Sequence, residues 1–289
     1  MASLRDIRNR IASVKNTRQI TNAMKIVSAA KLRRATESAT SARPYQQTLT
    51  ATLRRVAAAS GDVENPLLVP HPEVKKVLLV LVGTDRGLCG GFNANLNRRA
   101  EDWCRRVRDE GKQLELRTYG KKPRDFFKAR GTPSAVPRIE LLNPRYAAEA
   151  GELAEALTKG FIAGEFDEVW VGFNQFKSTL TQIPSFSRIL PLSIETDATE
   201  KAGPAANYIY EPDGNSILAA LLPLYLRTLL LQTFLETEAG EQASRMTAMD
   251  NATRNASDLI GALTLEYNRG RQAAITKELI EIVSGAEAL

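Results

Sequence analysis

Residues 239–267 read AGEQASRMTAMDNATRNASDLIGALTLEY, and Ala243, Met246, Met249 or Asp250, Thr253, Ala256, Ile260, Leu263 and Tyr267 recur in it at spacings of three and four. So narrow a seam is what a helix buries against one partner helix, whereas a helix docked on a globule shows a broader apolar stripe. The partner lies at the other end of the chain. From Ala2 to about Ala59 there is no glycine and one proline, Pro44, in a mixture rich in good helix formers. Leu4, Ile7, Ile11 and Val14 mark a second seam, and after a polar break Met24, Val27 and Ala30 or Lys31 resume it. Two seams at opposite ends of one sequence close most simply as an antiparallel two-helix coiled coil with a globule inserted between its strands.

The inserted stretch has another texture. Gly61 to Pro72 gathers Gly, Asp, Asn and three prolines, which end a helix and start a linker. VKKVLLVLVG (Val74 to Gly83) is a continuous apolar run, the mark of a strand buried on both faces. Helical patterns at Asn93 to Glu110, Arg124 to Ala129 and Tyr146 to Ile162 alternate with strands at Leu114 to Tyr119, Asp167 to Phe176 and Thr179 to Leu192. That alternation predicts an α/β, Rossmann-like domain with a mainly parallel sheet. After Ala202 to Gly214, Asp213 or Asn215 can cap a last helix. Its first part, Ile217 to Leu235, is apolar nearly all round and borderline in length for a membrane span. Arg227 in its middle would cost roughly 2.5 to 3.5 kcal/mol at a bilayer centre, so burial between the sheet and the first helix is the better reading. Pro223 removes a backbone hydrogen bond and predicts a bend near Ala219 to Pro223. The expected division is 1–60, a coiled-coil helix; 61–208, the α/β domain; and 209–289, the second coiled-coil helix.

The chemistry expected of an enzyme is missing. The 289 residues carry a net charge of +6, which permits acidic or nucleic-acid partners without requiring them. Cys89 and Cys104 make neither a disulfide framework nor a metal site, and reduced thiols are expected. MASLRDIRNRIASVKN has no apolar signal core, so no targeting segment is expected. His71, the single histidine, sits between two linker prolines and reads as a loop residue. TDRGLCGGFN (Thr84 to Asn93) lies where phosphate loops occur, between a strand and a helix, but matches neither G-x-G-x-x-G nor a P-loop. A tight strand-to-helix turn is expected there, with no catalytic, metal or cofactor site. A nucleotide-binding α/β enzyme and a coiled-coil adaptor remain as alternatives, while interleaved acids and the lack of an aromatic platform argue against nucleic acid.

Three segments carry a resemblance. IRNRIASVKNTRQITNAMKIVSAAKLRRA (Ile7 to Ala35), TDRGLCGGFN, and NRGRQAAITKELIEIVSGA (Asn268 to Ala286) together resemble the gamma subunit of F-type ATP synthases in its bacterial form. Ile-Thr-x-Glu-x-x-Glu-Ile-x-Ser-Gly-Ala at Ile275 to Ala286 is the most specific motif. The resemblance implies a non-catalytic rotor shaft that couples proton or sodium flow through a membrane c ring to ATP synthesis. Its implied partners are the alpha and beta subunits of the hexamer, the epsilon subunit and the c ring, at the cytoplasmic face of a bacterial plasma membrane. Matching residue by residue, Met24, Lys25, Arg245, Arg271, Gln272, Thr276 and Glu278 are implied to contact beta, and Tyr208 and Glu211 the c ring. The chain lacks the cysteine-bearing insertion of chloroplast members, which implies no thiol control. Pro223 within the last helix leaves the geometry of the c-ring foot open.

Overall fold

The computed structural model describes residues 3–59, 65–138, 145–193 and 213–287. They fall into two compact units, Met1–Ala30 with Arg245–Leu289, and Lys31–Ser244. Helices α1 (Leu4–Ala59) and α5 (Gly214–Glu287) supply residues to both.

In the first unit the two helices run antiparallel. Arg8 pairs with Tyr267, Thr21 with Thr253 and Lys25 with Asp250, one number falling as the other rises. Ile7, Ala256 and Leu263 are buried, and Ile11, Val14 and Ile260 are half-buried along the same line. The middle of the α1 seam differs from expectation. Val27 is 54% exposed, while Thr21 and Ser28 are 8% and 2% exposed. Positions 4, 7, 11, 14, 18, 21, 25 and 28 of α1 are all buried or half-buried, an unbroken alternation of three and four. The polar break is therefore the seam itself, filled by polar side chains, and counting three on from Met24 instead of Lys25 steps off it to Val27.

The second unit holds a five-stranded sheet of β1 (Lys76–Val82), β2 (Gln113–Tyr119), β3 (Val136–Arg138), β4 (Glu168–Phe176) and β5 (Gln182–Leu190). Its order is β3-β2-β1-β4-β5, with the first four parallel and β5 antiparallel to β4. Helices α2 (Phe92–Asp109), α3 (Lys121–Lys128) and α4 (Tyr146–Ile162) complete the crossovers. Every residue of β1 but Lys76 is buried, as its continuous apolar run requires of a central strand covered on both faces. β3 goes unseen in sequence because it is three residues around Pro137 at an edge, where proline is tolerated. At the end of β2, Gly120 adopts φ 101°, and a Cβ there would stand 2.8 Å from the Gly83 backbone, so only glycine lets the two strand ends approach.

One face of the sheet packs Leu96, Ala100, Trp103 and Val107 of α2 and Phe127 of α3 against Leu79 and Leu81. The other gathers Leu78 and Val80, Leu157 and Phe161 of α4, Leu53 and Val56 of α1, and Leu218, Leu222, Leu226, Leu230 and Phe234 of α5. These five α5 side chains are at most 2% exposed, and each buried leucine stabilises by about 1.5 to 3 kcal/mol. Helices and sheet cover this line of the segment, as expected of a helix packed in the domain, while Ala219, Ala220 and Arg227 remain exposed on its outer side. Asp213 caps α5, its Oδ1 accepting from the Ser216 N–H at 2.9 Å. Beyond the cap α5 runs through Pro223 as one helix.

Candidate functional site

The polar stretch of the coiled coil carries the first group of expected contact residues. Lys25 Nζ lies 2.6 Å from Asp250 Oδ1, across the helices, and Arg254 bonds the other carboxylate oxygen. Hydrogen bonds from Lys25 and Arg254 hold the Asp250 carboxyl below the usual carboxylate range. One turn away the hydroxyls of Thr21 and Thr253 share a 2.8 Å hydrogen bond. Met24 is half-buried beside this network. Arg245 is 8% exposed, and continuing the 21–253 and 25–250 pairing places it opposite Ala30, five residues along α1 from Lys25. Sequence reasoning offered Asp250 only as an alternative seam position. As the carboxylate that joins Lys25 to Arg254, it is the center of the cluster.

The second group lies on α5 beyond Gly270. A Cβ on Gly270 would stand 3.1 Å from Leu4, the first residue of α1, so α5 from Arg271 onward extends past its partner helix. Arg271, Gln272, Thr276 and Glu278 are all exposed there, and Thr276 Oγ1 donates to the Gln272 carbonyl at 2.9 Å. Ile275, Leu279, Ile280, Ile282 and Val283 on the same turns are 47% to 68% exposed. This end presents hydrogen-bonding and apolar side chains together. Tyr208 and Glu211, the expected c-ring contacts, lie outside the described residues.

The Thr84 to Asn93 loop forms a filled turn. Asn93, at the start of α2, accepts from the Thr84 N–H at 3.2 Å and donates to Thr84 Oγ1 at 2.8 Å and to Cys89 Sγ at 3.3 Å. These bonds tie the turn to itself, while Gly90 and Gly91 at the start of α2 stay exposed and no side chain caps the helix. The same loop is fastened to α5, with Ser244 Oγ donating to the Cys89 carbonyl at 2.7 Å. Among the described residues there is no group of three or more His, Cys, Asp or Glu side chains that could hold a metal ion.

His71 differs from a plain loop residue. Its Nδ1 is 2.8 Å from Asp167 Oδ1 and its ring stacks on Phe161 at 4.6 Å, while Asp167 Oδ2 accepts from the Lys75 and Lys76 N–H groups at 2.8 Å. Burial pushes the Asp167 carboxyl up, but the hydrogen bonds from His71 and from the two backbone groups outweigh it and leave the carboxyl lowered. The pair tethers the linker to the start of β4.

A family model described as ATP synthase matches residues 3–289. The ATP synthase gamma chain of Desulforamulus reducens is 49% identical over 289 residues, covering all of both chains, and that of Pelotomaculum thermopropionicum is 48% identical over 291 residues, again covering both. Among solved structures, a rotor chain of the Euglena gracilis mitochondrial ATP synthase superposes with a TM-score of 0.64 at 19% identity, over 94% of this chain and 98% of that one. A chain of the central stalk and c ring of the Tetrahymena thermophila mitochondrial enzyme gives 0.57 at 24% identity, over 81% and 99%. These two likenesses concern the fold.

Proposed function

The chain belongs to the ATP synthase gamma-chain family, and we infer from that premise that it is the central rotor shaft of an F-type ATP synthase. In this reading the coiled coil enters the hexamer of alpha and beta subunits, and the α/β unit meets the epsilon subunit and the c ring. Flow of protons or sodium ions through the ring turns the shaft. Because the shaft is asymmetric, it contacts each beta subunit differently at each angle. Each angle thus biases the three sites among conformations that bind, make and release ATP, coupling by differential contact. The chain itself is non-catalytic and sits at the cytoplasmic face of a bacterial plasma membrane.

The observation that carries the reading is identity near one half to gamma chains over the whole of both sequences, coinciding with an α5 that outruns α1 and exposes Ile275, Leu279, Ile280, Ile282 and Val283. Met24, Lys25, Arg245, Arg271, Gln272, Thr276 and Glu278 are proposed as beta contacts, and Tyr208 and Glu211 as c-ring contacts. Lys25 is already paired with Asp250 and its side chain is 41% exposed, so its remaining N–H donors can reach beta while the pair stays intact. Functionally, 1–60 and 209–289 form the shaft and 61–208 the ring-facing body. The test is reconstitution with the alpha, beta, epsilon and membrane subunits in vesicles. Ion-driven ATP synthesis that depends on this chain is expected; synthesis at the same rate without it would refute the assignment.

A further inference from the structure

Phe234 is the last α5 residue in the larger apolar cluster of the second unit, yet the unit extends along the helix to Ser244 and still buries Leu235, Ala239 and Ala243. Over those ten residues a different kind of contact joins the apolar one. Glu236, Gly240 and Ser244, spaced by four, lie in one line on the helix and each meets a separate part of the α/β body. Glu236 Oε2 accepts from the Phe176 N–H at the end of β4, at 3.3 Å. A Cβ on Gly240 would stand 2.8 Å from the Phe92 ring, so the absent side chain is what lets helix and ring meet. Ser244 Oγ donates to the Cys89 carbonyl in the Thr84 to Asn93 loop.

The wall that receives this line is itself held. Buried Asn174 on β4 donates from Nδ2 to the Phe92 carbonyl at 3.1 Å, and Asn93 ties the loop to Thr84. Gln232 donates to the other oxygen of Glu236 at 2.9 Å and orients it. Apolar contacts are non-directional and resist the roll of a helix about its own axis weakly. Hydrogen bonds prefer defined angles, and a ring seated against a glycine blocks rotation in either sense.

We propose that Glu236, Gly240 and Ser244, seated in the slot formed by the end of β4, Phe92 and the Cys89 carbonyl, are a rotational lock that passes torque between the α/β unit and helix α5. The proposal rests on the rotor-shaft reading and names the positioning residues that reading needs. The lock is loaded when the ring drives the body and the body drives the helix. It is unloaded when a soluble complex of the chain with alpha and beta hydrolyses ATP, since there the body turns freely.

The experiment compares the unmodified chain, Ser244→Ala and Ser244→Thr in two settings, ion-driven synthesis by the complete enzyme in vesicles and hydrolysis by the soluble complex. Ser244→Ala is expected to lower synthesis about threefold to tenfold, the range one lost hydrogen bond spans, with hydrolysis and melting temperature nearly unchanged. Ser244→Thr, which keeps the hydroxyl, is expected to restore synthesis. If Ser244→Ala does not assemble, Phe92→Leu, which trims the ring against Gly240 and leaves the hydrogen bond, is expected to show the same selective loss. Equal loss in both settings, or no loss in either, overturns the lock while leaving the rotor reading intact. Failure of the unmodified chain to support synthesis overturns the rotor reading first.

Discussion

Asp167 is where a single residue fixes the entry to the α/β unit. It accepts from His71 and from two backbone N–H groups, and its carboxyl is held below the usual range. Hydrogen bonds to a charged group contribute about 1.5 to 3 kcal/mol each before the cost of burial, so Asp167→Asn is expected to destabilise the chain at neutral pH by about 2 kcal/mol. Because the folded value is the lower one, the carboxylate's contribution is complete above the unfolded carboxylate range near 4 and fades as pH falls through the folded value. Urea unfolding at pH 7 and pH 3 checks this; a gap between native and variant that is as wide at pH 3 as at pH 7 contradicts it. The thiols also behave in a definite way at this scale. Cys89 and Cys104 are each 2% exposed, and burial pushes Cys104 up to about 12. Both are expected to react with a thiol reagent only as fast as the native chain opens, and prompt labelling of the folded protein would show otherwise.

At the scale of elements, the coiled coil separates residues that sequence alone would treat alike. Leu263 is 4% exposed and Val27 is 54% exposed, although both were placed on seams. Leu263→Ala is expected to cost about 2 to 5 kcal/mol and Val27→Ala less than about 0.5 kcal/mol. Comparable losses in thermal unfolding would mean that the register is wrong. Elements built from uninterrupted local patterns were legible: the apolar run of β1, the 17 residues of α4 and the two flanking helices stand where they were expected. What was not legible depends on partners distant in sequence. Asp167 lies 96 residues from His71, and Ser244 lies 155 from Cys89, separations that no local period encodes. The polar seam around Thr21 and Ser28 was missed for another reason, since a period search built on apolar residues reads buried hydroxyls as a gap. Of the candidate site residues, the resemblance supplied the identities, and periodicity supplied only that most of them are helical.

At the scale of the whole molecule, the proposed rotor role rests on contacts that form and break as a shaft turns. Arg271 and Gln272 lie on exposed turns past the end of α1 and away from the buried seam. Changing both to Ala is therefore expected to leave helix content and melting temperature unchanged while lowering coupled ATP synthesis. Each hydrogen bond to a charged partner contributes about 1.5 to 3 kcal/mol, enough to favour one angle yet weak enough to break at every step. Unfolding of the double variant, or synthesis at the unmodified rate, would remove these two residues from the proposed contact. The central claim is rotation. It is tested most directly by holding the alpha and beta hexamer on a surface, attaching a visible probe to the α/β unit of this chain and adding magnesium and ATP. The probe is expected to turn stepwise in one direction while ATP is hydrolysed; sustained hydrolysis with the probe stationary would rule out the rotor role.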